Sequence, residues 1–79
     1  MNEKEREVII DTTNIKFMVN YFYENKYTIH VTLYSGVWKN GLILKIEKDH
    51  FILDEFKEGE TPILFSAIKD VSKYKFTKV

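Results

Sequence analysis

The chain has 79 residues, enough for one domain, and a domain of this size buries only about 60–65% of the surface its unfolded form exposes. Hydrophobic residues make up 44%, aromatics 15% and charged residues 30%, a globular composition, with six Phe, five Tyr and one Trp supplying much of the burial. There is no cysteine, which excludes disulfides, thiolate metal sites and a Cys nucleophile, and twelve basic residues balance twelve acidic ones, which disfavours a domain that coats a polyanion.

Residues 1–7 are polar and charged and read as a solvated arm rather than a secretory signal. Val8-Ile9-Ile10 reads as a short strand or anchor, and Asp11, Thr12 and Thr13 offer oxygens for a helix N-cap. Ile15, Met18, Val19 and Phe22 then fall on one helix face, with Phe17 and Tyr21 widening it, and predict a helix over 14–25. After Tyr27 the period becomes two. Ile29, Val31 and Leu33 predict a half-buried strand, and Ser35-Gly36 a turn. A longer strand over 37–47 places Leu42, Leu44 and Ile46 on one face, with Gly41 at a bend. Strands over 50–55, 63–65 and 68–76 complete the series. Lys57-Glu58-Gly59-Glu60 is a charged hairpin, Pro62 suits an edge strand, and Ser66-Ala67 is a corner.

One helix followed by five short antiparallel strands is too little for a sandwich. A mainly β domain in which a strongly bent five-stranded sheet forms a small barrel, capped by the helix, resolves the edge problem. The divisions are an arm over 1–13, helix plus barrel over 14–76 and a tail over 77–79. No apolar run is long enough to cross a bilayer, and a cytoplasmic location is expected, without membrane association.

The stretch Val31-Thr-Leu33-Tyr-Ser-Gly36-Val-Trp-Lys-Asn-Gly41, then Asp49-His50-Phe51-Ile-Leu53, then Ile63-Leu-Phe-Ser-Ala67-Ile68 resembles the Sm-like superfamily, its bacterial Hfq branch most of all. The likeness covers roughly residues 14–74. The chain departs from that branch in four places. Gly41 and Asp49 are two residues further apart, a change that preserves strand parity. Phe65-Ser66 replaces a Lys-His pair, Ile15 replaces a Gln, and Tyr23, Glu24 and Lys26 replace a basic cluster. The resemblance implies a homo-oligomeric ring, a hexamer or heptamer, that binds single-stranded RNA without chemistry or cofactor.

The resemblance places His50 and Phe51 at the pore, where an aromatic stacks on a base and a His bonds its edge. The alternative makes Phe51 core and His50 a turn residue. Ser66 sits at a base-contacting position or simply at a corner. Trp38, with Tyr34 and Lys39, forms a stacking platform or packs against protein. Lys69, Lys73, Lys75 and Lys78, interleaved with Tyr74 and Phe76, suit a phosphate backbone, or guard a strand edge. Asp54, Glu55, Glu58 and Glu60 read as a solvated acidic hairpin, without the spacing of a metal loop. His30 and His50 lack metal-ligand spacing, and no nucleophile elbow or phosphate loop is present, so no enzyme activity or metal is expected. A second reading is a scaffold module without RNA binding, in which Trp38, Tyr34 and Tyr27 line a peptide groove.

Overall fold

In the computed structural model, which describes residues 3–75 and side chains from residue 13 onward, helix α1 (Glu3–Glu24) leads into five strands. These are β1 (Thr28–Leu33), β2 (Trp38–Ile46), β3 (His50–Glu55), β4 (Gly59–Leu64) and β5 (Ile68–Lys73), with a 3-10 turn over Phe65–Ala67 between the last two. The helix starts well before the expected Asn14. Glu, Lys and Arg dominate positions 3–7, all good helix formers, and no Gly or Pro occurs before Gly36. The positions read as an anchor and a cap therefore lie inside a helix. At its other end Lys26 adopts a left-handed conformation (φ 56°). The Tyr27 N–H then reaches the Phe22 carbonyl at 3.0 Å and the Lys26 N–H reaches Tyr23 at 3.1 Å, a Schellman stop without glycine.

All ladders are antiparallel, in the order β4-β3-β2-β1-β5. Laid flat, this sheet would hold β4 and β5 four strand spacings apart, about 19 Å. Only residues 65–67 join Leu64 to Ile68, and that stretch of chain reaches about 14 Å at full extension. The sheet must therefore roll. Hydrogen bonds pin the connection: the Phe65 N–H donates to the Asp49 carbonyl at 3.0 Å, and the Tyr34 N–H to that of Ala67 at 3.0 Å. The roll does not close, because among the described residues no ladder joins β4 to β5. Both remain edges, and Pro62, which has no N–H to offer a ladder, lies on one of them.

Gly41 allows the bend. A Cβ there would sit 2.9 Å from the Glu55 Cα and closer still to the Asp54 carbonyl. Beyond it, β2 shifts register between Ile43 and Lys45. The expected face of β2 is corrected: Ile43 is buried while Leu42 and Leu44 are exposed, and the bulge after Ile43 turns Ile46 away from them and against the core. The core is built by Ile15, Val19 and Phe22 of α1, Ile29 and Val31 of β1, Phe51 and Leu53 of β3, and Ile63, Phe65, Ile68 and Val71. Each fully buried side chain of this kind contributes about 1.5–3 kcal/mol. Phe17, expected to widen the helix's apolar stripe, is instead 71% exposed, and Tyr21 is exposed with it. β5 ends at Lys73, short of the expected Phe76, with residues 74 and 75 outside the strand; Phe76 and the tail over 77–79, with Lys78, lie outside the described residues.

Candidate nucleic-acid interface

The rolled sheet separates the anticipated site residues into a sealed side and two open surfaces. Phe51, second in β3, lies on the inward parity of Phe51, Leu53 and Glu55. It is 0% exposed, and its ring lies 5.6 Å from that of Phe65. Phe51 is therefore core, and its ring offers no stacking face. His50, one residue earlier, points the other way and is half-buried. Its Nδ1 lies 2.7 Å from an Asp49 carboxylate oxygen. That contact holds the Asp49 carboxyl below its ordinary pKa, against a smaller opposing effect of desolvation.

Next to His50 lies an open cleft of about 600 Å³, lined by Lys16, Lys48, Asp49, Leu64, Phe65 and Ser66. Three separate segments build it. The helix brings Lys16, whose Nζ lies 5.5 Å from the centre of the Phe65 ring; the β2–β3 turn brings Lys48 and Asp49; the 3-10 turn brings Ser66. Sequence reasoning placed Ser66 but not the two lysines. Lys16 follows the buried Ile15 by one helical position, and only the docking of α1 against the 3-10 turn carries it here.

The second surface is the outer face of β1 and β2. Trp38 is 57% exposed and stands 5.8 Å, centre to centre, from the His30 ring. His30 Nδ1 contacts the Asn40 side-chain oxygen at 2.5 Å, with Thr32 Oγ1 at 3.5 Å from its other nitrogen. Trp38, Asn40, Glu55, Phe56, Lys57, Glu58 and Tyr74 are among the residues lining a cleft here. Lys39 is bound to Glu58 in an ion pair, so its charge is already engaged. Tyr34 is exposed in the turn after β1. Tyr27 takes no part in a groove with Trp38: it packs against the Tyr21 and Phe22 rings, and Lys73 Nζ sits 4.1 Å above it. Lys73 and Lys75 instead line a third cleft with His30, Ser72 and Tyr74.

The residue most misplaced by the sequence is Glu55. It is 7% exposed rather than part of a solvated loop, while Asp54, Glu58 and Glu60 are exposed as expected. Its carboxylate accepts N–H bonds from Asn40 at 3.1 Å, Lys57 at 2.8 Å and Glu58 at 3.1 Å. The Asn40 bond first, then that of Lys57, holds this carboxyl below its ordinary pKa against desolvation. Glu55 thereby fastens the β3–β4 hairpin to the strand that carries Trp38. The signal was present in the alternation Phe51, Leu53, Glu55. No three His, Cys, Asp or Glu side chains among the described residues gather as metal ligands. None of the described helices is long and apolar enough to cross a membrane.

A helix followed by a rolled five-stranded antiparallel sheet with two open edges is an Sm-like fold, as the sequence resemblance implies. The chain is similar to a 1.55 Å crystal structure of the pleiotropic translational regulator Hfq. The match has a TM-score of 0.63 at 19% sequence identity and covers 72% of this chain and 93% of that one. No protein-family model and no curated protein matches the sequence. The chain is thus a divergent example of the fold, and a likeness at this identity speaks to the fold alone.

Proposed function

We propose that this chain is an RNA-binding protein that assembles as a homo-oligomeric ring of six or seven copies and holds single-stranded RNA without catalysing a reaction, in the cytoplasm. The observation that carries this reading is the pair of unpaired edges, β4 and β5, on a fold shared with a translational regulator. Open edges of a thin-cored domain gain most from pairing with copies of themselves. In such a ring the cleft lined by Lys16, Lys48 and Ser66, beside His50, recurs around the axis. It supplies positive charge and hydroxyl contacts for phosphates and base edges. Trp38 and Tyr34 supply rings for stacking on the outer surface. Phe51 has no part in this, and Lys39 contributes only where its bond to Glu58 opens.

Native mass spectrometry tests the assembly: the expected masses are six or seven times the 9.5 kDa chain, and a monomer would remove the ring. Titration with short uridine-rich and adenine-rich RNAs at about 0.15 M salt tests the ligand. Affinity should fall steeply as salt rises if phosphates are engaged. The balanced net charge and the exposed Trp38, Tyr34 and Phe17 favour a second reading, a protein-interaction module on the same fold. An assembly that binds no RNA at any salt selects it.

A further inference from the structure

The third cleft has a composition of its own. His30 pairs across β1–β2 with Asn40 and across β1–β5 with Ser72, and Thr32 pairs with Trp38 and with Asp70. Directly paired residues of antiparallel strands share a face. The Tyr74 N–H donates to the Thr28 carbonyl at 2.9 Å, which carries the row one step past the end of β5. Trp38, His30, Ser72 and Tyr74 therefore follow one another over the side of the sheet turned away from Ile29 and Val31. Tyr74 lines both the Trp38 cleft and the cleft of His30, Ser72, Lys73 and Lys75, and packs edge-on against Phe56 at 5.3 Å. The two clefts share a wall.

Charge changes along this row. At the Trp38 end the cleft carboxylates are engaged: Glu55 by three N–H groups and Glu58 by Lys39. Asp70 lies across from Thr32 at the same end. At the other end Lys73 and Lys75 flank a hydroxyl, an imidazole and a phenol in a space of about 490 Å³. The Lys73 ammonium sits over the Tyr27 ring, on the side of Ile29 with which Lys73 pairs, which leaves Lys75 to supply the free charge of this cleft. Rings that accept any base, followed by a cation and small polar groups, match the alternating chemistry of a single-stranded polynucleotide.

Resting on the RNA reading above, we propose that the cleft of His30, Ser72, Lys73, Tyr74 and Lys75 is a separate seat for single-stranded RNA. Lys75 and Ser72 hold a backbone phosphate, and Tyr74 takes an adjacent base. A strand stacked on Trp38 leaves the outer face by this route, toward the end of β5. The seat is complete within one chain and does not require the pore.

Trp38 is the sole tryptophan, so its emission reports on a strand lying over the outer face. The test titrates the full chain with a twelve-nucleotide single-stranded RNA and compares Lys75→Ala with Lys69→Ala. Both remove one exposed positive charge from the same end of the chain, but Lys69 does not line the cleft. Lys75→Ala should weaken binding about three- to tenfold and flatten the slope of log affinity against log salt by about 0.7, the value for one lost phosphate contact on a single strand. Trp38 quenching should persist at saturation, and Lys69→Ala should leave affinity and slope near those of the parent. An unchanged slope in Lys75→Ala, or equal effects of the two substitutions, overturns the seat while leaving RNA binding in place. A parent chain that binds no RNA removes the RNA reading, and the seat with it.

Discussion

Strand β1 presents two different worlds on its two faces. Ile29 and Val31 are fully buried against the helix and the far strands, whereas His30 and Thr32, between them, meet Trp38, Asn40 and Ser72 on the outside. The same division separates two aromatic residues at or next to the start of a strand. Phe51 is second in β3 and is sealed; Trp38 begins β2 and is open. Position at a strand start therefore says nothing about availability. Parity does, and parity follows from which face the helix covers. The sealed side carries stability, and the open side is free to carry recognition.

The sharpest way to break this division is Phe51→Ala. Emptying a site that is 0% exposed should destabilise the fold by about 3–5 kcal/mol, read as a large drop in the denaturant midpoint. A folded Phe51→Ala protein of parental stability that had lost only RNA binding would show the two sides to be wrongly divided. Gly41→Ala comes next. The new methyl meets backbone atoms of Asp54 and Glu55, which cannot swing aside as a side chain can, so a loss of about 1–3 kcal/mol is expected. Parental stability for that variant would mean that β2 does not bend where the sheet rolls.

Glu55→Gln probes the joint between the two sides. Its carboxyl titrates below the ordinary range when folded, so the unfolded chain takes up the proton first as pH drops. Stability from this group is therefore complete above the ordinary carboxylate range and is lost as pH falls through the folded value. Asp49 and Glu47 act in the same direction. Glu55→Gln should melt several degrees below the parent at pH 7, and the gap should narrow near pH 3. A gap of constant size would mean that packing, not charge, fastens the hairpin. The smallest effect on folding belongs to Trp38→Ala, within about 0.5 kcal/mol as for an ordinary surface change. The same substitution should weaken RNA binding by about 1–3 kcal/mol if a base stacks there. A large loss of stability would move Trp38 to the sealed side.

Much of this architecture was legible from spacing alone. The period-two run of Ile29, Val31 and Leu33, the helical stripe of Ile15, Val19 and Phe22, and the turns at Gly36 and Gly59 all sit where local chemistry puts them. What failed were features set by tertiary contact. On β2 the parity of Leu42 and Leu44 is outward rather than inward, and the bulge after Ile43 separates Ile46 from them, since one unpaired residue reverses parity downstream without any mark in composition. The helix ran back to Glu3 because a cap residue is only an option for stopping, and Asp11, Thr12 and Thr13 were passed over by a chain with no breaker. The lysines of the cleft beside His50 came from elements far apart in sequence, a convergence that no one-dimensional period reports. Glu55 departs from the solvated hairpin expected of its acidity because it keeps the inward parity of Phe51 and Leu53.

The three-residue link over Phe65–Ala67 has one more consequence. It ties the finish of one free border to the beginning of the other, so the angle between those borders is settled within a single chain before any second copy arrives. For chains that join border to border, that angle dictates how far each copy turns from the last, and hence how many complete a circle. In the proposed ring, lengthening the link by one residue should therefore change the headcount.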